Sequence, residues 1–156
     1  MIPLRRYDTF TPLGPTMDQH NAARSGQKRE QLLATKIAEL GFTLQPKTLI
    51  EPPELYKVCG QKRFYNDGSI PELNIDHIEP KGGSKNGSTQ EKLFYDLEKI
   101  RDGVYKGNLL YIFEGIMETH TCTKLFIAKL ALLGYDNVKV LMFSELNTHS
   151  LREVFS

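Results

Sequence analysis

Five consecutive apolar residues, Leu109-Leu110-Tyr111-Ile112-Phe113, stand between two segments of helical period. A strand exposed on one face alternates polar and apolar residues, so an unbroken apolar run reads as a strand covered on both faces. Before it, Ser88-Thr89-Gln90-Glu91 is a capping-box pattern. Leu93, Leu97 and Ile100, with Phe94 beside them, then make the apolar face of a helix that stops near Gly103. After it, a helix is expected from about Thr121 to Leu133, closed by Gly134, followed by a strand over Val138–Phe143. Strands that alternate with helices specify an α/β fold, here a mixed central β-sheet flanked by helices with right-handed crossovers in the second half.

The first half is less regular. Residues 1 to about 23 are rich in Pro, Thr, Gly and Asn without a period and read as an irregular N-terminal arm. Ser25 precedes a helical stretch from roughly Gln27 to Leu40, with Leu33, Ile37 and Leu40 on one face and Gly41 as its stop. Thr48-Leu49-Ile50 is a short strand closed by Pro52-Pro53, and Leu55–Tyr65 reads as another. Asn66-Asp67-Gly68 is turn chemistry. Chain length, 156 residues, fits one domain with a real core.

Composition narrows the setting. With 40% hydrophobic and 25% charged residues the chain matches ordinary globular proteins, and no apolar run approaches the ~18 residues of a membrane span. The first residues lack the apolar block of a signal peptide, so the expected setting is cytoplasmic, in a bacterial or phage-infected host cell. Cys59 and Cys122 match no zinc or redox spacing and read as free thiols. Net charge is only +1. Basic residues nevertheless gather locally, at Arg5, Arg6, Arg24, Lys28, Arg29 and Lys36 and again at Lys57, Lys62 and Arg63, a pattern compatible with phosphate contacts and equally with an ordinary solvated surface.

The chemistry concentrates in Asp67–Gly83. Glu79 and Lys81 are two apart on a segment read as a strand, so their side chains share a face. Asp67, in the preceding turn, offers a second carboxylate. Two carboxylates can hold a divalent cation through oxygen, and an adjacent lysine can orient or deprotonate water and offset negative charge. Together these make a kit for metal-assisted phosphodiester hydrolysis.

On these residues the chain resembles the PD-(D/E)XK nuclease superfamily, which includes restriction and homing endonucleases. The resemblance runs from about Ser25 to Phe143. It rests on Glu30 in the first helix, the Phe64-Tyr65-Asn66-Asp67-Gly68 turn, the Ile78-Glu79-Pro80-Lys81 strand, the Gly/Ser-rich loop and helix start after it, and the strand–helix–strand order that follows. It departs at Asn66, where the family has proline, and at Pro80 inside the strand, which implies a strand end or edge. The second acid is contested among Asp67, Glu72 and Asp76. Asp67 is preferred because its spacing leaves room for a tight hairpin, while Glu72 and Asp76 fall on the opposite face of a regular strand.

The resemblance implies a restriction-endonuclease-like core over residues 25–143 within a single nuclease domain. It implies Mg²⁺-dependent, sequence-specific cleavage of double-stranded DNA by direct attack of water. Asp67 and Glu79 would bind Mg²⁺, Lys81 would position and activate the nucleophile, and Glu30 would support a metal-bound water. Cutting both strands implies a homodimer or higher homo-oligomer, and the expected DNA contacts are the N-terminal arm and a 57–65 hairpin. Tyr56, Phe64 and Tyr65 could stack on bases, although hairpin packing explains them more simply.

Two other readings use the same residues. Asn74–Gly83 also looks like the opening of an HNH (ββα-metal) nuclease, with His77 as general base and Asn108 and His120 as later members. A full helix stands between them where that motif expects a short loop. The third reading is a DNA-binding domain of the same fold without catalysis.

Overall fold

The computed structural model describes residues 17–61, 63–82 and 88–156, with side chains described from residue 27 onward in the first helix and from residue 91 in the helix that begins at Ser88. The N-terminal arm up to residue 16, Lys62, the Gly/Ser-rich loop at 83–87 and the capping-box side chains at 88–90 lie outside that description.

Three parallel strands form the centre: β3 (His77–Lys81), β4 (Leu109–Phe113) and β5 (Val138–Met142), in the order β3-β4-β5. Helix α3 (Ser88–Arg101) links β3 to β4, and α4 (Thr121–Leu133) links β4 to β5. Glu79 lies opposite Tyr111, and Tyr111 opposite Val140. As its composition requires, β4 is buried along its whole length.

Strand alternation sorts the side chains into two cores. Leu109, Tyr111 and Phe113 face α3 and α4, packing with Leu93, Leu97, Phe126 and Leu130. Leu110 and Ile112 face the other way, with Ile78 of β3. They meet Leu33 and Ile37 of α1 (Met17–Glu39) and Leu146 and Leu151 near α5 (Thr148–Glu153). The result is helix, sheet, helix. Glu79 and Lys81, out of phase with Ile78, project on the α3 side.

The sequence misleads at four places. Helix α1 starts at Met17, not Gln27, so residues 17–23 belong to a helix rather than an arm. The polar residues there leave no apolar stripe for a periodicity argument to find. Leu55–Tyr65 is not one strand. Glu54–Val58 forms helix α2, and only Phe64–Tyr65 extends, as β2. Pro53 caps α2 and Glu54 stands in its first turn, a helix-start chemistry that also reads as a strand stop. The expected 57–65 hairpin is therefore absent.

Nor is the central sheet mixed, since its three strands are parallel. Among the described residues, regular antiparallel pairing joins β1 (Leu49–Ile50) to β2 and recurs in isolated bridges. A single 3₁₀ turn at Pro71–Leu73, ended by Asn74 in the left-handed region (φ 60°), interrupts the chain between β2 and β3 and stops a continuous ladder.

What lies against the outer edge of β3 is a bulge. The Asp67 N–H donates to the Ile78 carbonyl (3.2 Å), and the Ile78 N–H donates to the Gly68 carbonyl (2.9 Å). Two residues thus oppose one, which re-aims the side chain at the first of them. Gly68 is required by space: a Cβ there would lie 2.9 Å from the Gln45 carbonyl oxygen and 2.7 Å from Leu44 Cδ1.

Entry into β3 and β4 is pinned by Asp76, whose Oδ2 accepts from the Asn108 N–H at 2.7 Å. Gly107 adopts φ +93°, and a Cβ on it would lie 2.3 Å from that same oxygen. Gly107→Ala should cost about 2 kcal/mol or more, from left-handed strain plus the loss of this clamp. Chemical denaturation checks it, and a change under about 0.5 kcal/mol would show that the clamp carries no weight.

Candidate active site

Glu79 and Lys81 leave β3 on the face that α3 covers, and α3 returns two polar residues to them. Asp96 and Lys99 share the helical face of Leu93, Leu97 and Ile100 and point inward with it. Tyr105, after the helix, completes the group. The contacts close into a ring. Lys81 Nζ lies 3.0 Å from Asp96 Oδ2, and Lys99 Nζ lies 3.1 Å from Asp96 Oδ1. Lys99 also donates to Tyr105 Oη (3.3 Å), and Tyr105 Oη donates to Glu79 Oε1 (3.3 Å). Glu79 Oε2 is 3.8 Å from Lys81 Nζ, within ion-pair range but beyond hydrogen bonding. Lys81 faces Asp96 Oδ2 as an ion pair, and the Tyr111 hydroxyl lies behind them within reach of the Asp96 charge.

Burial sets the electrostatics. Glu79 is 7% exposed and Asp96 2%. Burial pushes the Glu79 carboxyl up to about 8. Lys81 pulls it back, while the like charges of Asp67 and Asp96 push further. For Lys81 burial works against the ammonium, but Asp96 and Glu79 outweigh it and the net shift is upward. Lys81 is therefore a proton-holding cation. It can orient a water and offset charge. Tyr105 and Tyr111 are held above the ordinary phenol value by burial first and the neighbouring carboxylates second.

Asp67, half-buried at the bulge, joins this group through its charge, which acts on Glu79, Lys81 and Tyr105. Its backbone position is held by Asn66, the residue standing where the resembled family has proline. The Asn66 side chain is 2% exposed. Its Oδ1 accepts from the Thr48 N–H (2.9 Å), and its Nδ2 reaches the Asp76 carbonyl (3.4 Å) and His77 Nδ1 (2.9 Å). An amide that ties three segments together replaces a fixed φ.

The rival acids go elsewhere. Glu72 is exposed and approaches the Thr43 N–H at 3.5 Å, and Asp76 clamps Asn108. Pro80 lies inside β3, but β3 is an edge strand. Ile78, of the same parity, directs its N–H outward to Gly68, so the donor that proline lacks would have pointed away from the sheet.

Glu30 does not join the group. It is half-buried on α1, whose apolar residues pack on the opposite face of the sheet. No hydrogen bond or ion pair among the described residues connects it to Glu79. Its neighbour Arg29 instead pairs with Glu114 (3.2 Å), crossing over Gly82, where a Cβ would lie 2.6 Å from Arg29 Nε.

The HNH set is dispersed. His77 Nε2 donates to the Lys106 carbonyl (2.8 Å) and its Nδ1 accepts from Asn66, so both ring nitrogens are occupied. Asn108 donates to the Asn74 carbonyl, and His120 caps α4 by accepting from the Cys122 N–H. His77→Ala should therefore keep cleavage within a few-fold of wild type while costing about 1–3 kcal/mol of stability through the orphaned Asn66 amide. Loss of all cleavage in a folded His77→Ala protein would reinstate the histidine as base.

Of the residues expected to contact DNA, the N-terminal arm up to residue 16 and Lys62 lie outside the described residues, whereas Lys57, Tyr56 and Phe64 are engaged within the protein. Lys57 pairs with Glu51 at 2.5 Å, Tyr56 donates to Asp102 at 2.6 Å, and Tyr56 packs edge-on against Phe64. Tyr65 is half exposed.

Among the described residues no three His, Cys, Asp or Glu side chains form a ready metal cage. Mg²⁺ needs less: one or two carboxylates, with waters and substrate phosphates for the rest. Asp67 and Glu79 supply hard oxygen donors. Glu79 Oε2 accepts no hydrogen bond among the described residues, and a divalent cation would relieve the repulsion and desolvation that keep Glu79 protonated. The donor set fits.

No protein-family model matches the chain, and neither a curated protein nor a solved structure does. Among the described residues no helix is long and apolar enough to cross a membrane.

Proposed function

We propose that the chain is a Mg²⁺-dependent endonuclease that hydrolyses phosphodiester bonds of double-stranded DNA in a sequence-specific manner, on a restriction-endonuclease-like core. The observation that carries this reading is the convergence of three residues from two segments. Glu79 and Lys81 share one face of an edge strand, and the bulge beside them brings Asp67 into their field. The strand–helix–strand order from β3 to β5 supports it, while the all-parallel pairing of those strands departs from the mixed sheet expected of such a core. Its role, restriction or homing, follows from the DNA sequence it cuts.

Asp67 and Glu79 would hold the metal. When bound, it supplies Lewis-acid activation of water and stabilises charge on the phosphate. The chain's own part is positional and electrostatic. Lys81, kept as an ammonium, donates a hydrogen bond to the attacking water or to a phosphoryl oxygen and offsets the negative charge that grows there. The water oxygen would bond to phosphorus as one of its protons passes to bulk solvent, the bond from phosphorus to the leaving oxygen would break, and that oxygen would take up a proton from solvent. One such centre cuts one strand, so a double-strand break requires two copies, and a homodimer is the simplest assembly.

The test is incubation of the purified protein with DNA of diverse sequence, with Mg²⁺ or with EDTA, followed by sequencing of any new ends. Cleavage at a recurrent site with Mg²⁺ and none with EDTA is expected. Binding without cleavage would favour a non-catalytic DNA-binding domain, and intact, unbound DNA would reject both readings.

A further inference from the structure

Lys81 has two carboxylates within reach and approaches them unequally: Asp96 Oδ2 at 3.0 Å and Glu79 Oε2 at 3.8 Å. Asp96 is the better fixed of the two. Its side chain is 3% exposed and is gripped from the opposite side by Lys99 at 3.1 Å. Lys99 in turn has little freedom. Its ammonium lies 5.2–5.5 Å from the ring centres of Phe64, Tyr95 and Tyr105 and hydrogen-bonds Tyr105 Oη. A chain of fixed groups therefore runs from an aromatic enclosure, through Lys99 and Asp96, to the tip of Lys81.

Lysine is flexible, with about 2 kcal/mol of rotamer entropy in its side chain. Without Asp96 the nearest anion for its ammonium is Glu79 Oε2, the oxygen left open by Tyr105. We propose that Asp96, braced by Lys99, is a positioning residue that holds the Lys81 ammonium beside Glu79 rather than on it, leaving Glu79 Oε2 open for a cation. The inference rests on the nuclease reading, and it assigns a task to two α3 residues that touch neither metal nor substrate.

Single-turnover cleavage with the protein in saturating excess over DNA tests it, with Mg²⁺ titrated for wild type, Asp96→Asn and Lys99→Met and the folded fraction of each taken from circular dichroism. Asp96→Asn keeps the shape of the side chain and removes the charge that holds Lys81. Per folded molecule, its rate should fall on the order of 10²-fold, the loss expected when a reacting group is misplaced by about 1 Å. Its Mg²⁺ half-saturation should rise several-fold as Lys81 moves onto Glu79, while DNA affinity stays within about two-fold. A purely structural role would lower the folded fraction and leave these two readouts unchanged.

Lys99→Met removes the brace alone and should lower the rate about 5- to 10-fold. It decides the question if Asp96→Asn does not fold. Wild-type rate and Mg²⁺ half-saturation in the folded Asp96→Asn protein, or in Lys99→Met where only that variant folds, would overturn the inference while the nuclease reading stands. A wild-type protein that cuts no DNA would remove both.

Discussion

On the proposed nuclease reading, Glu79→Gln should eliminate Mg²⁺-dependent cleavage, by at least about 10³-fold, and at the same time make the magnesium-free protein more stable at alkaline pH. Both effects come from one buried carboxyl. Glutamine preserves its shape and an acceptor for the Tyr105 hydroxyl, which donates to Glu79 Oε1 at 3.3 Å, but it gives a cation no charge. The stability effect has a definite sign. In the folded protein burial holds Glu79 protonated to about pH 8, against 4.5 for the ordinary carboxyl. Between those values the native state keeps a proton that the unfolded chain has released, so stability falls as pH rises.

The cost is absent below the unfolded value and complete above the folded one. Its ceiling is about 4–5 kcal/mol, at 1.36 kcal/mol per pH unit, and the responses of Lys81 and Lys99 reduce it. Melting curves in EDTA at several pH values should show wild type and Glu79→Gln close together near pH 4 and diverging steadily to pH 8.5. Parallel curves across that range would mean that Glu79 ionises freely in the fold.

Asp96→Ala should destabilise the protein by about 3–5 kcal/mol, the usual consequence of removing one partner from a buried ion pair. Asp96 is shared by two ammonium groups, on side chains that are 15% and 13% exposed. Deleting it leaves Glu79, with the charge of Asp67, to answer both lysines. Urea unfolding measures the loss, and a value under about 1 kcal/mol would indicate that Lys81 and Lys99 reach water instead. Asp96→Asn, which retains polar contacts and lets Glu79 ionise in compensation, should cost appreciably less.

The sequence was most legible where a single physical constraint governed each segment. Five apolar residues in a row left β4 no option but double coverage, and the stripes of α3 and α4 with Gly134 as a stop were equally direct. Segments governed by local polar chemistry were harder to read. Pro52-Pro53 suits a strand end and a helix start alike, and the polar first turns of α1 carry no amphipathic signal.

In the candidate site, strand parity was enough to put Glu79 and Lys81 on one face of β3, whereas the place of Asp67 depends on the bulge beside Ile78, which the turn residues alone do not specify. Asp96 and Lys99 were overlooked although their signal was present: two charges on the same helical face as Leu93, Leu97 and Ile100 must either be paired inside the core or break it. Tyr105 carried no comparable mark. Only the crossover from α3 into β4 brings its hydroxyl to Glu79.

Pro80 also bears on access to the face that carries Glu79 and Lys81. Beyond Ile78 the outer margin of β3 offers no amide hydrogen at this residue, midway between the two charged side chains. A neighbouring polypeptide, from the same molecule or another, cannot zip onto the sheet there by the ordinary ladder. The rim beside Glu79 and Lys81 is thus barred to β-augmentation, and an incoming phosphate chain, which needs no such ladder, meets no competitor of that kind.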